Sequence, residues 1–224
     1  MPTFECSRNP SLPYVAPFAA FMALLLLGPH LPPAVDGPFR AVALIAVLWF
    51  FSRGAIQFKV RLAVPGVLLG VFVFLLWIAP DTLMPHYRES ILFQNRFTGT
   101  LSNSIPKALL ANPWILFFRV FRSVALVPVI EELFWRAWLM RWLIGPNFER
   151  IPLGTFSPFA FTATAVLFSL EHGPYWDVGL LTGFIYNWWM VRTRSLGDCI
   201  LVHAVTNACL AGFVIATNRW EYWL

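Results

Sequence analysis

The sequence predicts an all-α fold, a polytopic transmembrane helix bundle with seven or eight spans. Charged residues make up only 12% of the 224 residues, whereas a soluble domain contains roughly a quarter. Apolar residues make up 58%, with 22 Phe and 11 Trp among them. A helix crosses the bilayer core with about 20 mostly apolar residues. The charge-free stretches, taken with their neutral flanks, therefore mark candidate spans: 15–29, 41–52, 62–79, 151–170, 178–191 and 199–218.

The same composition excludes other classes of protein. Disordered chains combine low hydrophobicity with high charge, and a soluble globule of 25.5 kDa has too little interior for this much apolar surface. The net charge of +5 does not indicate nucleic-acid binding, because the basic residues are dispersed at the ends of apolar stretches. Two basic loops are predicted to be cytoplasmic; one contains Arg53, Lys59 and Arg61, and the other contains Arg192 and Arg194. The loop with Asp177 is expected on the other side of the membrane.

The chain is expected to divide at its longest polar stretch, residues 80–113. Residues 1–111 form a front membrane part with three spans and this polar connecting loop. Residues 112–224 form a back part that holds the unusual polar residues. Residues 109–143 are long enough for one tilted helix or two short ones, with Pro128 as a candidate kink. The distribution of charged loops favours a single crossing here and seven spans; two short helices would give eight.

Two adjacent carboxylates and an arginine lie inside an apolar helix of the back part. An ionised group at the centre of a span costs roughly 2.5–3.5 kcal/mol unless it is paired. Glu132 and Arg136 are four residues apart and share one helix face, so they are expected to form an ion pair. Glu131 points about 100° away and lacks that partner. A carboxylate without a countercharge in a low-dielectric medium suits a general base that works near neutral pH.

Further polar side chains occur on two other helices. His172 ends an apolar run four residues after Phe168, and His203 and Asn207 share one face of the last apolar run. Side chains that converge from facing helices are how sites are built in helix bundles. The sequence therefore predicts a polar, hydrated site at membrane depth. Glu171, beside His172, is interpreted as a solvated cap of its span.

These motifs resemble the CAAX prenyl protease and bacteriocin-processing (Abi, CPBP) family of intramembrane glutamic endopeptidases. The family shares an E-E-x-x-x-R motif, an F-x-x-x-H motif and an H-x-x-x-N motif, in this order. The resemblance covers residues 112–216, about half of the chain. The front part resembles the narrower exosortase-associated subgroup of CAAX protease-related proteins. The matching positions here are Glu131, Glu132 and Arg136, then Phe168 and His172, then His203 and Asn207.

The resemblance implies peptide-bond hydrolysis within the membrane, without a covalent intermediate or a cofactor. Glu131 and His172 would hold and deprotonate a water molecule, and His203 and Asn207 would donate hydrogen bonds to the developing oxyanion. Glu132, Arg136 and Phe168 would support the site. The implied substrate is a membrane-anchored or prenylated protein, cut near its C-terminus. The implied location is a prokaryotic plasma membrane, with the chain as a multi-pass integral protein and its oligomeric state open.

Two other functions remain open from the sequence. The first is a zinc-dependent membrane protease with Glu131, His172 and His203 as ligands, because two histidines and a carboxylate are a valid catalytic zinc set. Against it, the chain has no H-E-x-x-H motif. The second is a non-enzymatic membrane scaffold or transporter whose charges line a pathway; the inverted repeats typical of transporters are not evident in the sequence.

Overall fold

The computed structural model describes residues 9–27, 31–101, 109–110 and 112–223. Within these residues the chain forms long helices joined by turns and no strand. Short 3₁₀ turns lie at Tyr87–Glu89, Phe148–Arg150, Gly173–Tyr175 and Trp220–Tyr222. The long helices are α1 (Leu12–Leu27), α2 (Pro33–Ser52), α3 (Ala63–Leu83), α4 (Pro113–Trp142), α5 (Pro158–Leu170), α6 (Trp176–Thr193) and α7 (Leu196–Thr217).

This architecture confirms the predicted all-α membrane bundle. Helices α2, α3, α4 and α7 are each long and apolar enough to cross a membrane, and α1 and α5 are shorter apolar helices. The count of seven or eight spans is not confirmed by these lengths and stays a prediction. The boundary at residue 111, and residues 102–108 of the predicted polar loop, lie outside the described residues.

Helix α4 is continuous and contains Pro128 without dividing there. A proline lacks the N–H that an α-helix needs and crowds the carbonyl of the preceding turn. A wider π-helical turn, Arg122–Leu126, lies just before Pro128, and there Val127 N–H donates to the Arg122 carbonyl. A second such turn, Leu133–Leu139, follows the glutamate pair. Such turns occur frequently at functional sites, and here they flank Glu131 and Glu132.

The front helix α3 packs closely against α7. A Cβ atom added at Gly70 would lie 2.7 Å from Val205 Cβ, and one at Gly66 would lie 3.3 Å from Leu201. Small residues let membrane helices approach this closely. Thr206 Oγ1 also donates to the Gly70 carbonyl at 3.0 Å. The helix that carries His203 and Asn207 is therefore supported directly by the front part of the chain.

The two basic loops lie side by side, as expected. Ser195 Oγ donates to the Lys59 carbonyl at 3.0 Å. The buried carboxylate of Asp198 accepts the backbone N–H groups of Arg61 and Leu62, both at 2.9 Å. These contacts join the start of α3 to the start of α7, at the other end of α6 from Asp177. Their cytoplasmic location stays a prediction.

Helices α5 and α6 form an antiparallel hairpin whose tip is the turn Gly173–Tyr175. The two helices approach closely, since a Cβ atom added at Gly183 would lie 3.0 Å from the backbone of Ala165. The tip is contacted by the 84–101 segment, which follows α3. Trp176 Nε1, for example, donates to the Leu92 carbonyl at 3.2 Å. Helix α3 runs through Pro80 to Leu83, so the polar stretch begins later than the sequence predicts.

Candidate active site

The centre of the site is the Glu132 carboxylate, which is fully buried. Its Oε1 atom accepts two hydrogen bonds, from Arg136 Nη1 at 3.0 Å and from His203 Nδ1 at 2.9 Å. The bond to Arg136 joins neighbouring turns of α4, and the bond to His203 joins α4 to α7. The predicted ion pair is therefore present, and Glu132 in addition orients a histidine that the sequence placed in a different motif.

Arg136 has more partners than the sequence indicates. Its Nε donates to Asn187 Oδ1 on α6 at 3.2 Å. Its guanidinium carbon lies 4.5 Å from the ring centroid of Phe168 and 5.3 Å from that of Tyr186. An arginine over an aromatic face gains a cation–π attraction that is largest when both groups are desolvated. Arg136 therefore ties α4 to both helices of the α5–α6 hairpin.

Glu131 lies on the other side of His203. Its Oε2 is 4.0 Å from His203 Nε2, too far for a direct hydrogen bond. Among the described residues this buried oxygen has no hydrogen-bond partner. The two adjacent glutamates thus flank one imidazole, and only Glu132 is bonded to it. The two side chains point in different directions, as the 100° offset between neighbouring helix positions predicts.

His172 stands at the end of α5, and its ring is held from three sides. Nδ1 lies 2.7 Å from the Phe168 carbonyl, and because a carbonyl only accepts, Nδ1 carries the hydrogen. The ring centroid lies 5.3 Å from that of Trp77 on α3. Gly179 on α6 lies behind the ring, since a Cβ atom added there would be 3.3 Å from it. The Nε2 atom of a neutral His172 therefore presents a lone pair.

Phe168 connects the two histidines. Its buried ring has its centroid 4.6 Å from that of His172 and 6.4 Å from that of His203. Its carbonyl fixes the His172 tautomer, and its face receives Arg136. The predicted supporting role of Phe168 therefore has a physical basis in contacts to three of the other motif residues.

Asn207 lies one helical turn from His203 on α7, as its spacing predicts. Its Nδ2 donates to the Ser123 carbonyl at 2.8 Å, inside the first π-helical turn of α4. An asparagine amide has two hydrogens, so one remains for another acceptor. The structure thus places Asn207 beside the site and gives it a packing contact that the motif does not predict.

Several residues of this cluster were not found by sequence reasoning. Asn187 and Tyr186 lie in a stretch that looks uniformly apolar, and Trp77 lies in the front part of the chain. Glu171 was interpreted as a solvated cap, but it is only partly exposed and its Oε1 accepts from Trp135 Nε1 at 3.0 Å. One sequence signal was available, namely that Glu171, a third carboxyl group besides Glu131 and Glu132, directly precedes a motif histidine.

The described residues contain no group of three His, Cys, Asp or Glu side chains arranged to hold a metal ion. The proposed zinc ligands Glu131, His172 and His203 do not form such a set. His203 turns its Nδ1 towards Glu132 and His172 turns its Nδ1 towards a backbone carbonyl. The arrangement that is present consists of a free carboxylate oxygen, imidazole nitrogens and an amide. These groups can bind a water molecule and exchange protons with it.

Comparison with known proteins agrees with the motif resemblance at the level of the family. The model of the family described as type II CAAX prenyl endopeptidase Rce1-like matches residues 113–209. The family resemblance is thereby confirmed, and the exosortase-associated subgroup is not. The match supports a CAAX-type intramembrane protease at family level. No curated protein and no solved structure matches the chain.

Proposed function

Starting from the Rce1-like match over residues 113–209, we propose that the chain is an intramembrane endopeptidase. It hydrolyses a peptide bond near the C-terminus of a membrane-anchored or prenylated protein with a water molecule activated by Glu131. The observation that carries the proposal is the pair of glutamates around His203. Glu132 is bonded to Nδ1 at 2.9 Å, whereas Glu131 Oε2 faces Nε2 at 4.0 Å, which is too far for a direct hydrogen bond.

The attacking water would bind at Glu131. Polar groups separated by more than about 3.5 Å are often joined through a water molecule. Glu131 Oε2 and His203 Nε2 are 4.0 Å apart. Glu131 would accept one proton of the water as its oxygen attacks the carbonyl carbon. The same proton would pass to the amine nitrogen when the peptide bond breaks, so no covalent intermediate with the protein is formed.

The remaining polar groups would hold the water and the oxyanion. We assign His172 to the water, because its Nε2 lone pair can accept a hydrogen bond from it. We assign the second amide hydrogen of Asn207 to the oxygen of the scissile carbonyl. His203 donates to the same oxygen from Nε2 when that nitrogen also carries a hydrogen, because its Nδ1–H is already bound to Glu132. Glu132 and Arg136 support these groups by fixing His203 and the α4–α6 contact. No metal is required for these steps.

The substrate class follows from the location and from the family. The site lies among apolar helices, so a substrate has to reach it within or along the bilayer, which favours a protein that carries a membrane anchor. The family is described as a CAAX prenyl endopeptidase, which supports a prenylated protein as the substrate. A soluble protein without an anchor would not be cut.

The proposal is tested by comparing the C-termini of membrane proteins by mass spectrometry. Cells would produce the wild-type chain, the Glu131→Gln variant, or Glu149→Gln, which changes an exposed glutamate outside the three motifs. We expect shortened C-termini with wild type and with Glu149→Gln. We expect none with Glu131→Gln at an equal amount of protein in the membrane. Identical termini in all samples, or full processing by Glu131→Gln, would overturn the proposal.

A further inference from the structure

We propose that Arg88, which lies outside the region of the family match, is a positioning residue for His172. This inference rests on the proposed function, in which His172 contacts the attacking water. It concerns the 84–101 segment, which contributes no residue to the three motifs. Arg88 would act through the hairpin tip Gly173–Tyr175, the turn that directly follows His172.

Among the described residues, Arg88 is one of the largest side chains that are fully buried, at 2% exposure. Its Nη1 donates to the Pro174 carbonyl at 2.6 Å and to Asp177 Oδ1 at 2.7 Å. Its Nε donates to Asp81 Oδ2 at 2.9 Å. The guanidinium carbon lies 4.3 Å from the ring centroid of Tyr175. One side chain thus holds the end of α3, the hairpin tip and the start of α6 together.

The charge balance around Arg88 is favourable for a buried cation. Burial lowers the pKa of the guanidinium, but hydrogen bonds with Asp177 and Asp81 outweigh burial and raise the pKa above its ordinary value. Tyr87 Oη donates to Asp177 at 3.1 Å, and Tyr222 Oη donates to Asp81 at 3.4 Å. Both carboxylates are therefore oriented, and removal of Arg88 would take away the cation that joins them.

The contacts of Arg88 lead directly to the walls of the His172 site. The carbonyl it holds belongs to Pro174, two residues after His172, and Tyr175 N–H donates to the His172 carbonyl at 3.0 Å. Asp177 lies two residues before Gly179, against which the His172 ring packs. Gly173 adopts a left-handed φ of 53°, which a side chain would rarely permit.

His172 depends on these walls for its orientation. Its Nδ1 bond goes to a carbonyl in its own helix, so that bond fixes the tautomer and not the distance to α4 or α7. The position of the ring relative to Glu131 and His203 is set by Trp77, Gly179 and the hairpin tip. Trp77 is itself fixed, because its Nε1 donates to Thr182 Oγ1 on α6 at 2.9 Å. Arg88 joins the two helices that carry these walls.

The test compares Arg88→Met and Arg88→Lys with Arg96→Met, which removes an exposed cation of the same segment. The protein contains four histidines, so an NMR spectrum of protein with isotope-labelled histidine nitrogens contains few signals. The signal that is missing from the spectrum of His172→Gln belongs to His172. We expect Arg88→Met to shift the His172 signal and to leave the His203 signal unchanged. We expect Arg96→Met to leave both signals unchanged. Arg88→Lys, which keeps a charge between the aspartates, serves the same purpose if Arg88→Met does not fold.

The cleavage kinetics of a membrane-anchored tail that the wild-type protein cuts provide the second readout. Because a displacement of about 1 Å in a catalytic group can cost about 100-fold in rate, we expect Arg88→Met to lower kcat by at least about tenfold with little change in KM. An unchanged His172 signal in both Arg88 variants would overturn the inference. So would a His172 shift accompanied by wild-type kcat. If the wild-type chain cuts nothing, the proposed function fails, and the histidine spectra then show separately that Arg88 does or does not hold His172.

Discussion

The two adjacent glutamates of α4 have different environments although they are neighbours in sequence. Glu132 is fully buried and shares one oxygen between Arg136 and His203. Glu131 lies 4.0 Å from the opposite nitrogen of the same histidine, beyond hydrogen-bond distance. A carboxylate that already accepts two charged or polar donors is a poor base, so we assign the chemistry to Glu131 and the support to Glu132.

At the residue scale, removal of Arg136 should cost more stability than removal of Glu131. Breaking a buried ion pair on one side typically costs about 3–5 kcal/mol, because it leaves an unpaired charge. Arg136→Ala would also remove the bond to Asn187 and the contact with the Phe168 ring. Glu131→Ala removes an oxygen that has no partner. We expect a lower folded yield and a lower Tm in detergent for Arg136→Ala; equal values for the two variants would contradict the structural role of the pair.

The sequence predicts those contacts that follow from helix geometry alone. The Glu132–Arg136 pair is such a contact, since residues four apart share a helix face. The bond between Glu132 and His203 is not, because it depends on how α7 packs against α4. Asn187 and Trp77 could not be identified for the same reason. Neither belongs to a motif, and each acquires its role from a helix contact that periodicity does not specify.

At the scale of the element, the α5–α6 hairpin determines where His172 lies. The two helices are joined by a single 3₁₀ turn, and the residue next to His172 on α6 is a glycine. A Cβ atom at Gly179 would lie 3.3 Å from the Cβ, Cγ and Nδ1 atoms of His172. This is closer than side chains normally approach, so a larger residue would push the ring by a few tenths of an ångström.

Gly179→Ala therefore tests the placement of His172 without altering a polar group. We expect kcat to fall by roughly tenfold, given the sensitivity of catalysis to misplacement, while Tm changes little because alanine is the better helix former. Gly212→Ala on α7 is the matched control, since a Cβ atom there meets no atom within 4 Å. Equal activity of Gly179→Ala and the control would argue against a close fit of His172.

Element boundaries show what hydropathy can and cannot predict. The charge-free stretches correspond to the helices because apolar length is a direct requirement of the bilayer. The sequence left α4 open as one helix or two, and the structure has one, because the π-helical turn before Pro128 allows the helix to continue. The 84–101 segment gave no helical pattern, and its ordered turns depend on Arg88, whose partners are 7 and 89 residues away along the chain.

At the scale of the whole molecule, the front part of the chain completes the site of the back part. Helix α3 supports α7 through Gly70 and supplies Trp77 beside His172. The 84–101 segment holds the hairpin tip through Arg88. All three motifs lie in residues 112–224, so motif analysis alone assigns the function to that part. The contacts indicate instead that residues of both parts are needed to place the imidazoles.

The central claim is that Glu131 activates a water molecule for peptide hydrolysis, and the most direct measurement is a cleavage rate. The purified protein would be placed in lipid nanodiscs with a metal chelator and a membrane-anchored tail identified by the C-terminal comparison. A general base contributes about 10²–10⁴ in rate, so we predict that Glu131→Gln cleaves the tail at least about 100-fold more slowly than wild type. We also predict that wild type keeps its cleavage rate in the presence of the chelator. A Glu131→Gln rate within about threefold of wild type, or loss of wild-type activity in chelator, would contradict the claim.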